Sequence, residues 1–287
     1  MGENRAIICP KCRRLISNYV EQCPHCGLSK PGDRAWFMRT LGGNHISFVN
    51  GIIAVNIAFF VASYLLPLFF SSNMMTSRGM FGLPAPSGFA LDQLGGAHLT
   101  GVFSGEWWRL VNSTFLHGGP LHILFNMIWV KNLGTPAEQL LSPQKMVVVY
   151  LISGVVGNMA AIFLPVAGFY LGFTLRPVFV IGASGAVFGL MGAIIAYGRK
   201  RGGYLGRSLV RQLGMWAAII IVMGFIIPGI SNSAHIGGLI AGLVLGQIMP
   251  IQDNFAGRQL HIILSLIVIS VCIYSFFKVL QQLVAIL

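Results

Sequence analysis

A serine hydroxyl beside an imidazole is a nucleophile beside its general base. The imidazole takes the hydroxyl proton during attack on an amide and returns it to the leaving amine. Ser184 and His235 are such a pair, and each opens an apolar segment. Ser184 stands among Gly182, Gly185, Gly189 and Gly192, whose three- and four-residue spacing leaves one helix face nearly bare. His235 follows Ala234, and Ala234, Gly238, Gly242 and Gly246 recur every four residues. Two bare faces let two helices approach backbone to backbone, which would bring Ser184 within hydrogen-bond reach of His235. Taken singly, each stripe reads as a small-residue packing seam.

A tetrahedral intermediate also needs donors for its oxyanion. His122 and Asn126 lie one helical turn apart on one face, and the Ser184 N–H sits near a helix N-terminus. One such donor is typically worth about 3–4 kcal/mol. A lone histidine in an apolar helix is ordinarily a hydrogen-bonded packing residue. A His/Asn pair just inside a membrane helix points instead to a cavity or a site.

A second set of chemically capable residues lies near the N-terminus. Cys9-Pro10-Lys11-Cys12 and Cys23-Pro24-His25-Cys26-Gly27 form two C-x-x-C pairs ten residues apart. Each pair makes a knuckle, and four thiolates complete a tetrahedral zinc site. Two disulfides are the alternative, which a reducing compartment disfavours. His25 reads as a spacer. A module this small needs the metal to fold, so its role is structural or regulatory, docking a cytoplasmic partner or sensing metal.

The elements that must position these groups are membrane helices. The 287 residues are 55% hydrophobic and 9% charged, with a mean hydropathy of +0.76, a polytopic membrane composition. No apolar stretch in residues 1–45 reads as a signal peptide. The apolar runs predict seven spans: 46–70, 120–131, about 146–164, 182–197, 209–227, one opened by 231–238, and one from 260 to about 277 or beyond. Gly134 and Glu138 fall in a short segment after the second. The loop 71–116 carries Leu91, Leu94, Phe103, Trp107 and Trp108 and reads as leaning into the outer leaflet.

With the N-terminus inside, 15 of the 19 Lys and Arg residues fall on the inner side; Arg78, Arg109, Arg176 and Lys278 fall outside. The positive-inside rule therefore predicts a cytoplasmic N-terminus and an external C-terminus. The net charge of +12 then reflects topology, and no nucleic acid is expected. In this orientation the second, fourth and sixth spans run the same way. His122, Asn126, Ser184 and His235 then share one depth, a turn or so below the outer surface. All seven acidic residues lie outside the spans, which excludes an intramembrane aspartyl dyad. There is no H-E-x-x-H and no carboxylate placed to orient His235, so a Ser/His dyad rather than a triad is expected.

Gly182-Ala183-Ser184-Gly185 resembles the G-x-S-G motif of rhomboid intramembrane serine proteases. His122–Asn126 resembles their H-x-x-x-N, and Ala234–Gly238 their A-H-x-x-G. Trp108-Arg109 resembles the W-R element of their first loop, and Gly134 with Glu138 a further G-x-x-x-E pattern. The resemblance runs over about residues 46–250 in family order. It implies an all-α membrane fold with a six-helix core and a short fourth helix at its centre, here with a seventh C-terminal helix and a small N-terminal zinc ribbon. It implies Ser184 as nucleophile and His235 as base, with His122, Asn126 and the Ser184 amide as the oxyanion site, and no cofactor for catalysis. It also implies single membrane-spanning segments as substrates, entering laterally from the bilayer. Phe188 stands where some relatives have Tyr; either ring could pack under His235.

The expected division is 1–45 as a cytoplasmic zinc-ribbon-like module with Cys9, Cys12, Cys23 and Cys26 as ligands, 46–250 as protease core and 251–287 as the seventh helix. The expected location is the cell membrane, with several passes. The competing readings are a non-cleaving, client-binding relative and a transporter whose His/Asn/Ser cluster lines a pathway. The few polar residues in the inner halves of the second, fourth and sixth spans argue against a transporter.

Overall fold

The computed structural model describes residues 6–9, 11–12, 14–33, 47–69, 76–78, 82–171 and 178–286. Arg176 and the expected start of the first span at Ile46 lie outside them. Among the described residues seven long helices follow a small N-terminal unit: α1 (Phe48–Leu65), α2 (Pro120–Leu140), α3 (Pro143–Tyr170), α4 (Ser184–Arg201), α5 (Gly203–Ile226), α6 (Asn232–Ile248) and α7 (Phe255–Ile286). The N-terminal unit pairs β1 (Ala6–Ile8) antiparallel with β2 (Leu15–Ser17).

Local chemistry sets the helix starts. Pro120 and Pro143 occupy first-turn positions, where a missing N–H costs nothing. Ser142 Oγ accepts from Lys145 N at 3.2 Å and Ser231 Oγ from Ala234 N at 3.3 Å, capping α3 and α6. Helix α2 does not close at Lys131, as the charge there predicts. It continues to Leu140 with Gly134, Pro136 and Glu138 inside it.

Among the described residues four helices are long and apolar enough to cross a membrane by length and composition: α1 with its 3₁₀ extension, α3, α5 and α7. Helix α4 is buried without interruption from Gly185 to Gly198, as befits a helix apolar on every side. It packs against α2, α3, α5 and α6 and forms the centre of the bundle. Helix α7 lies against α3 and the segment between α1 and α2. Asn112 Nδ2 donates to the Ser275 carbonyl at 3.1 Å, and Trp107 stacks on Tyr274 at 6.0 Å. The tryptophans expected at the bilayer surface thus hold α7 as well, and Lys278 lies 4.9 Å from the Trp108 ring centre.

The tightest crossing is α4 on α6. A Cβ on Gly238 would overlap the Gly185 carbonyl, and one on Gly242 would overlap that of Gly189. Helix α3 joins them: a Cβ on Gly157 would lie 2.7 Å from the Ala234 carbonyl oxygen. At the far end of the bundle Lys145, 1% exposed, pairs with Asp253 at 2.8 Å and donates to the Pro250 carbonyl at 2.6 Å. This ties the start of α3 to the α6–α7 connection.

Gly242→Ala therefore forces two backbones apart and should destabilise the protein by about 1–3 kcal/mol, the usual cost of overpacking. Gly214, with nothing within 4 Å of an added Cβ, is the control. Gly214→Ala should match or exceed wild type, since Gly costs about 1 kcal/mol relative to Ala inside a helix. Thermal melting in detergent reads both, and a Gly242→Ala protein that melts with wild type would refute the close crossing.

Candidate active site

Ser184 is the first residue of α4, so its N–H belongs to the set that no helix carbonyl can satisfy. The preceding turn is held from outside the helix. Gly182 N donates to the Ser113 carbonyl at 2.8 Å, and β3 (Ala97–His98) pairs antiparallel with β4 (Phe179–Val180) just upstream. Gly182 has φ +127°, a conformation that side-chain-bearing residues resist.

His235 lies in the first turn of α6 and is 4% exposed. Its ring stacks on Phe188, one turn below Ser184, with centroids 4.3 Å apart and planes 9° from parallel. A Cβ on Gly185, next to Ser184, would sit 3.5 Å from the carbonyl of Ala234, next to His235. The two chemically capable residues thus flank the point where α4 and α6 touch. Ser184 Oγ makes no hydrogen bond among the described residues, and His235 Nδ1 is buried with no partner there.

His122 approaches from α2. A Cβ placed on Gly182 would lie 2.8 Å from His122 Nε2 and 3.8 Å from Ser184 Oγ, so both atoms border the same small space. Gly118 N donates to His122 Nδ1 at 3.2 Å. In a neutral imidazole that fixes the proton on Nε2, the nitrogen facing Gly182. Asn126 is buried, and its Nδ2 donates to the His122 carbonyl at 2.8 Å. One of its two N–H groups is therefore committed to its own helix.

Two groups that sequence reasoning passed over complete the setting. His117 is fully buried, neither ring nitrogen meets a partner at full hydrogen-bond geometry among the described residues, and its ring meets His122 edge-on at 5.0 Å. Asn158 on α3 donates to the Leu110 carbonyl, Ser113 Oγ and Thr114 Oγ1 at 2.8–3.1 Å. Asn158 thereby fixes the strand of chain that receives Gly182. No motif marked either residue. The histidine next to a glycine pair was the signal available for His117.

Arg109 organises the segment before α2. It is 3% exposed, pairs with Glu106, and its Nη1 donates to the carbonyls of Asp92 and Gly96 and to Asp92 Oδ1 at 2.8–3.1 Å. Asp92 also lies 3.1 Å from His98 Nε2. The loop is thus a fixed structure of short helices, Gly88–Gln93, Leu99–Phe103 and Arg109–Asn112.

The family profile described as "Rhomboid domain" matches residues 95–251, just over half of the chain. This chain belongs to the rhomboid family. Among curated relatives it is 31% identical over 169 residues to the rhomboid protease GluP of Bacillus subtilis, 57% of this chain and 30% of that one. It is 38% identical over 144 residues to the rhomboid protease GlpG of Pectobacterium atrosepticum, 49% of this chain and 48% of that one. RHOMBOID-like protein 4 of Arabidopsis thaliana is 32% identical over 176 residues, 60% of this chain and 42% of that one. The chain thus spans less than half the length of these three relatives.

Helix α1, outside the matched rhomboid segment, is attached through the G-x-x-x-E pattern. A Cβ on Gly134 would lie 2.8 Å from Val49 Cγ2. Glu138 accepts from Ser47 Oγ at 2.8 Å and from Val49 N at 3.1 Å, so it caps the start of α1 where a carboxylate favours the helix dipole.

The N-terminal unit ahead of the rhomboid domain brings Cys9, Cys12, Cys23 and Cys26 together, all Sγ atoms within 4.8 Å of one another and none in a disulfide. Cys9–Cys26 and Cys12–Cys23 are 3.8 and 3.6 Å apart. A tetrahedral ion with metal–sulfur bonds of about 2.3 Å would have edges of about 3.8 Å, so the donor set fits a metal ion. Burial pushes the Cys9 thiol up and the Cys12 thiol up to about 12. Burial also acts to raise Cys23, but the N–H groups of His25 and Cys26 and the thiols of Cys26 and Cys12 bring it down to about 7. A divalent cation would favour all four thiolates at once. His25 stays out of the cluster, its Nδ1 3.1 Å from Arg14 Nη1.

Purified protein should carry one divalent ion per chain by elemental analysis. Cys23→Ser should lose it, and His25→Ala should keep it. Equal metal content in all three would show that the cysteines are not the ligands.

Proposed function

We propose that the protein is an intramembrane serine endopeptidase that cleaves membrane-spanning segments of other proteins with a Ser184/His235 dyad. The observation that carries this reading is the stacking of His235 on Phe188 beside the first turn of α4. It holds a general base at the end of a helix that begins with a serine. The membership in a family whose relatives include named proteases supports it.

In this mechanism Ser184 Oγ attacks the scissile carbonyl while His235 takes its proton, then gives it to the leaving amine. Phe188 receives the developing imidazolium on its ring face, since no carboxylate partners His235 among the described residues. The oxyanion forms beside the free Ser184 N–H and His122 Nε2–H, and Asn126 contributes its uncommitted N–H. Water then opens the acyl-enzyme by the same exchange of protons.

The metal of the four cysteines is zinc, from its sulfur-only tetrahedral donors, and its role is structural. The protein sits in the cell membrane with residues 1–45 cytoplasmic, 46–250 as protease core and the end of α7 external, following the charge asymmetry. Its partners are transmembrane substrates that arrive through the bilayer, with a cytoplasmic partner for the ribbon.

A serine-reactive fluorophosphonate should label wild type, and labelling should vanish in Ser184→Ala and His235→Ala. His122→Ala should cut cleavage of a model transmembrane substrate about 10²–10³-fold with unchanged melting. Chelation should leave cleavage of a detergent-solubilised substrate nearly intact. Folded wild type that neither labels nor cleaves would favour the client-binding reading.

A further inference from the structure

The ribbon meets the bundle at the end of α4 opposite Ser184, about 25 Å along the helix. Gln252 Nε2 donates to the Cys12 carbonyl at 3.4 Å. Beside this contact lies a cavity of about 330 Å³ whose walls include Cys12, Arg14, Tyr197, Lys200, Arg201 and Gln252. That volume is in the lower range of small-molecule sites, roughly 300–1,000 Å³.

Among the described residues the lining holds three cations and no carboxylate. Among the described residues Arg14 reaches only the ring of His25. Lys200 Nζ donates to the carbonyls of Gly246 and Met249 at 3.1 and 2.7 Å. Among the described residues Arg201 has neither a hydrogen bond nor an ion pair. Asp253, next in sequence to Gln252, is held by Lys145 at 2.8 Å and does not neutralise the cavity. Three like charges turned toward one space repel each other, and two are guanidinium forks, which match the oxygens of a phosphate.

We propose that this cavity binds a phosphate-bearing anion, held between Arg14 of the ribbon and Lys200 and Arg201 of α4, and that an anionic phospholipid headgroup supplies it. The lipid source rests on the orientation proposed above, which puts this end of α4 at the cytoplasmic leaflet, where basic pockets at helix ends take anionic headgroups. The site itself is independent of peptide hydrolysis. A bound headgroup would fasten the ribbon to the helix that carries Ser184.

The test titrates the metal-loaded full chain in detergent with short-chain phosphatidylglycerol, short-chain phosphatidylcholine and inorganic phosphate, reading binding by native mass spectrometry. Phosphatidylglycerol should bind best. Arg14→Gln and Arg201→Gln should each weaken it about fivefold, the effect of one cation near a headgroup. Arg211→Gln, exposed on α5 and outside the cavity, should bind as wild type. Metal content of each variant checks that the ribbon is folded. Inorganic phosphate that binds with the same arginine dependence, while phosphatidylglycerol does not, would uphold the site and name free phosphate as its source. Binding of neither, or binding indifferent to Arg14 and Arg201, would overturn the proposal; the negative charge of the thiolate–metal centre would then be what balances these cations.

Discussion

The near-contact of two backbones governs this molecule. In a bilayer, lipid chains are as apolar as leucine, so helices gain little from hiding apolar side chains from them. What remains is close packing, and α4 and α6 achieve it by omitting side chains where they cross. Carbonyls of Gly185 and Gly189 lie where Cβ atoms of Gly238 and Gly242 would be. The crossing fixes the height and rotation of α6 against α4 together, and with them the position of His235 over Phe188. A looser crossing with alanines would leave both helices intact and move the imidazole away from the serine turn.

A second layer holds that turn from outside. The chain before Ser184 is neither helix nor long strand, and its polar backbone must be paired within the fold. Ser113 and β3 supply the pairing, Asn158 fixes Ser113, and Arg109 fixes the segment that contains β3. A buried guanidinium is costly unless its donors are used, and here they bind a carboxylate oxygen of Asp92 and two carbonyls. Arg109 therefore behaves as a rivet between remote pieces of loop.

Much of this was legible in the sequence because glycine spacing is a direct record of backbone proximity. The stripes on α4 and α6 pointed to their crossing, and the C-x-x-C pairs to four convergent thiols. What could not be read was any contact made by irregular chain. The loop before α2 has no period, so nothing in its order of residues indicates that Trp107 stacks on Tyr274 or that Asn112 bonds to the Ser275 carbonyl. His117 was passed over because it belongs to no regular element. The end of α2 was misplaced because Lys131 resembles a membrane-boundary charge. The residues beyond it remain helical because Gly134 and Glu138 have a partner in α1, a reason that exists only in the folded state.

The Glu138 cap has a consequence for the ribbon. It anchors the chain at Ser47, and thirteen residues separate Ser47 from Asp33 at the ribbon's last described position. Such a tether reaches at most about 45 Å. Whatever path those residues take, the ribbon is confined within that radius of Ser47, which by itself sets an effective concentration on the order of millimolar. At that concentration a contact with a dissociation constant near 1 mM, worth about 4 kcal/mol at the standard state, already leaves the ribbon docked about half the time. A surface far too weak to hold a free protein thus suffices for a ribbon that is never allowed to leave.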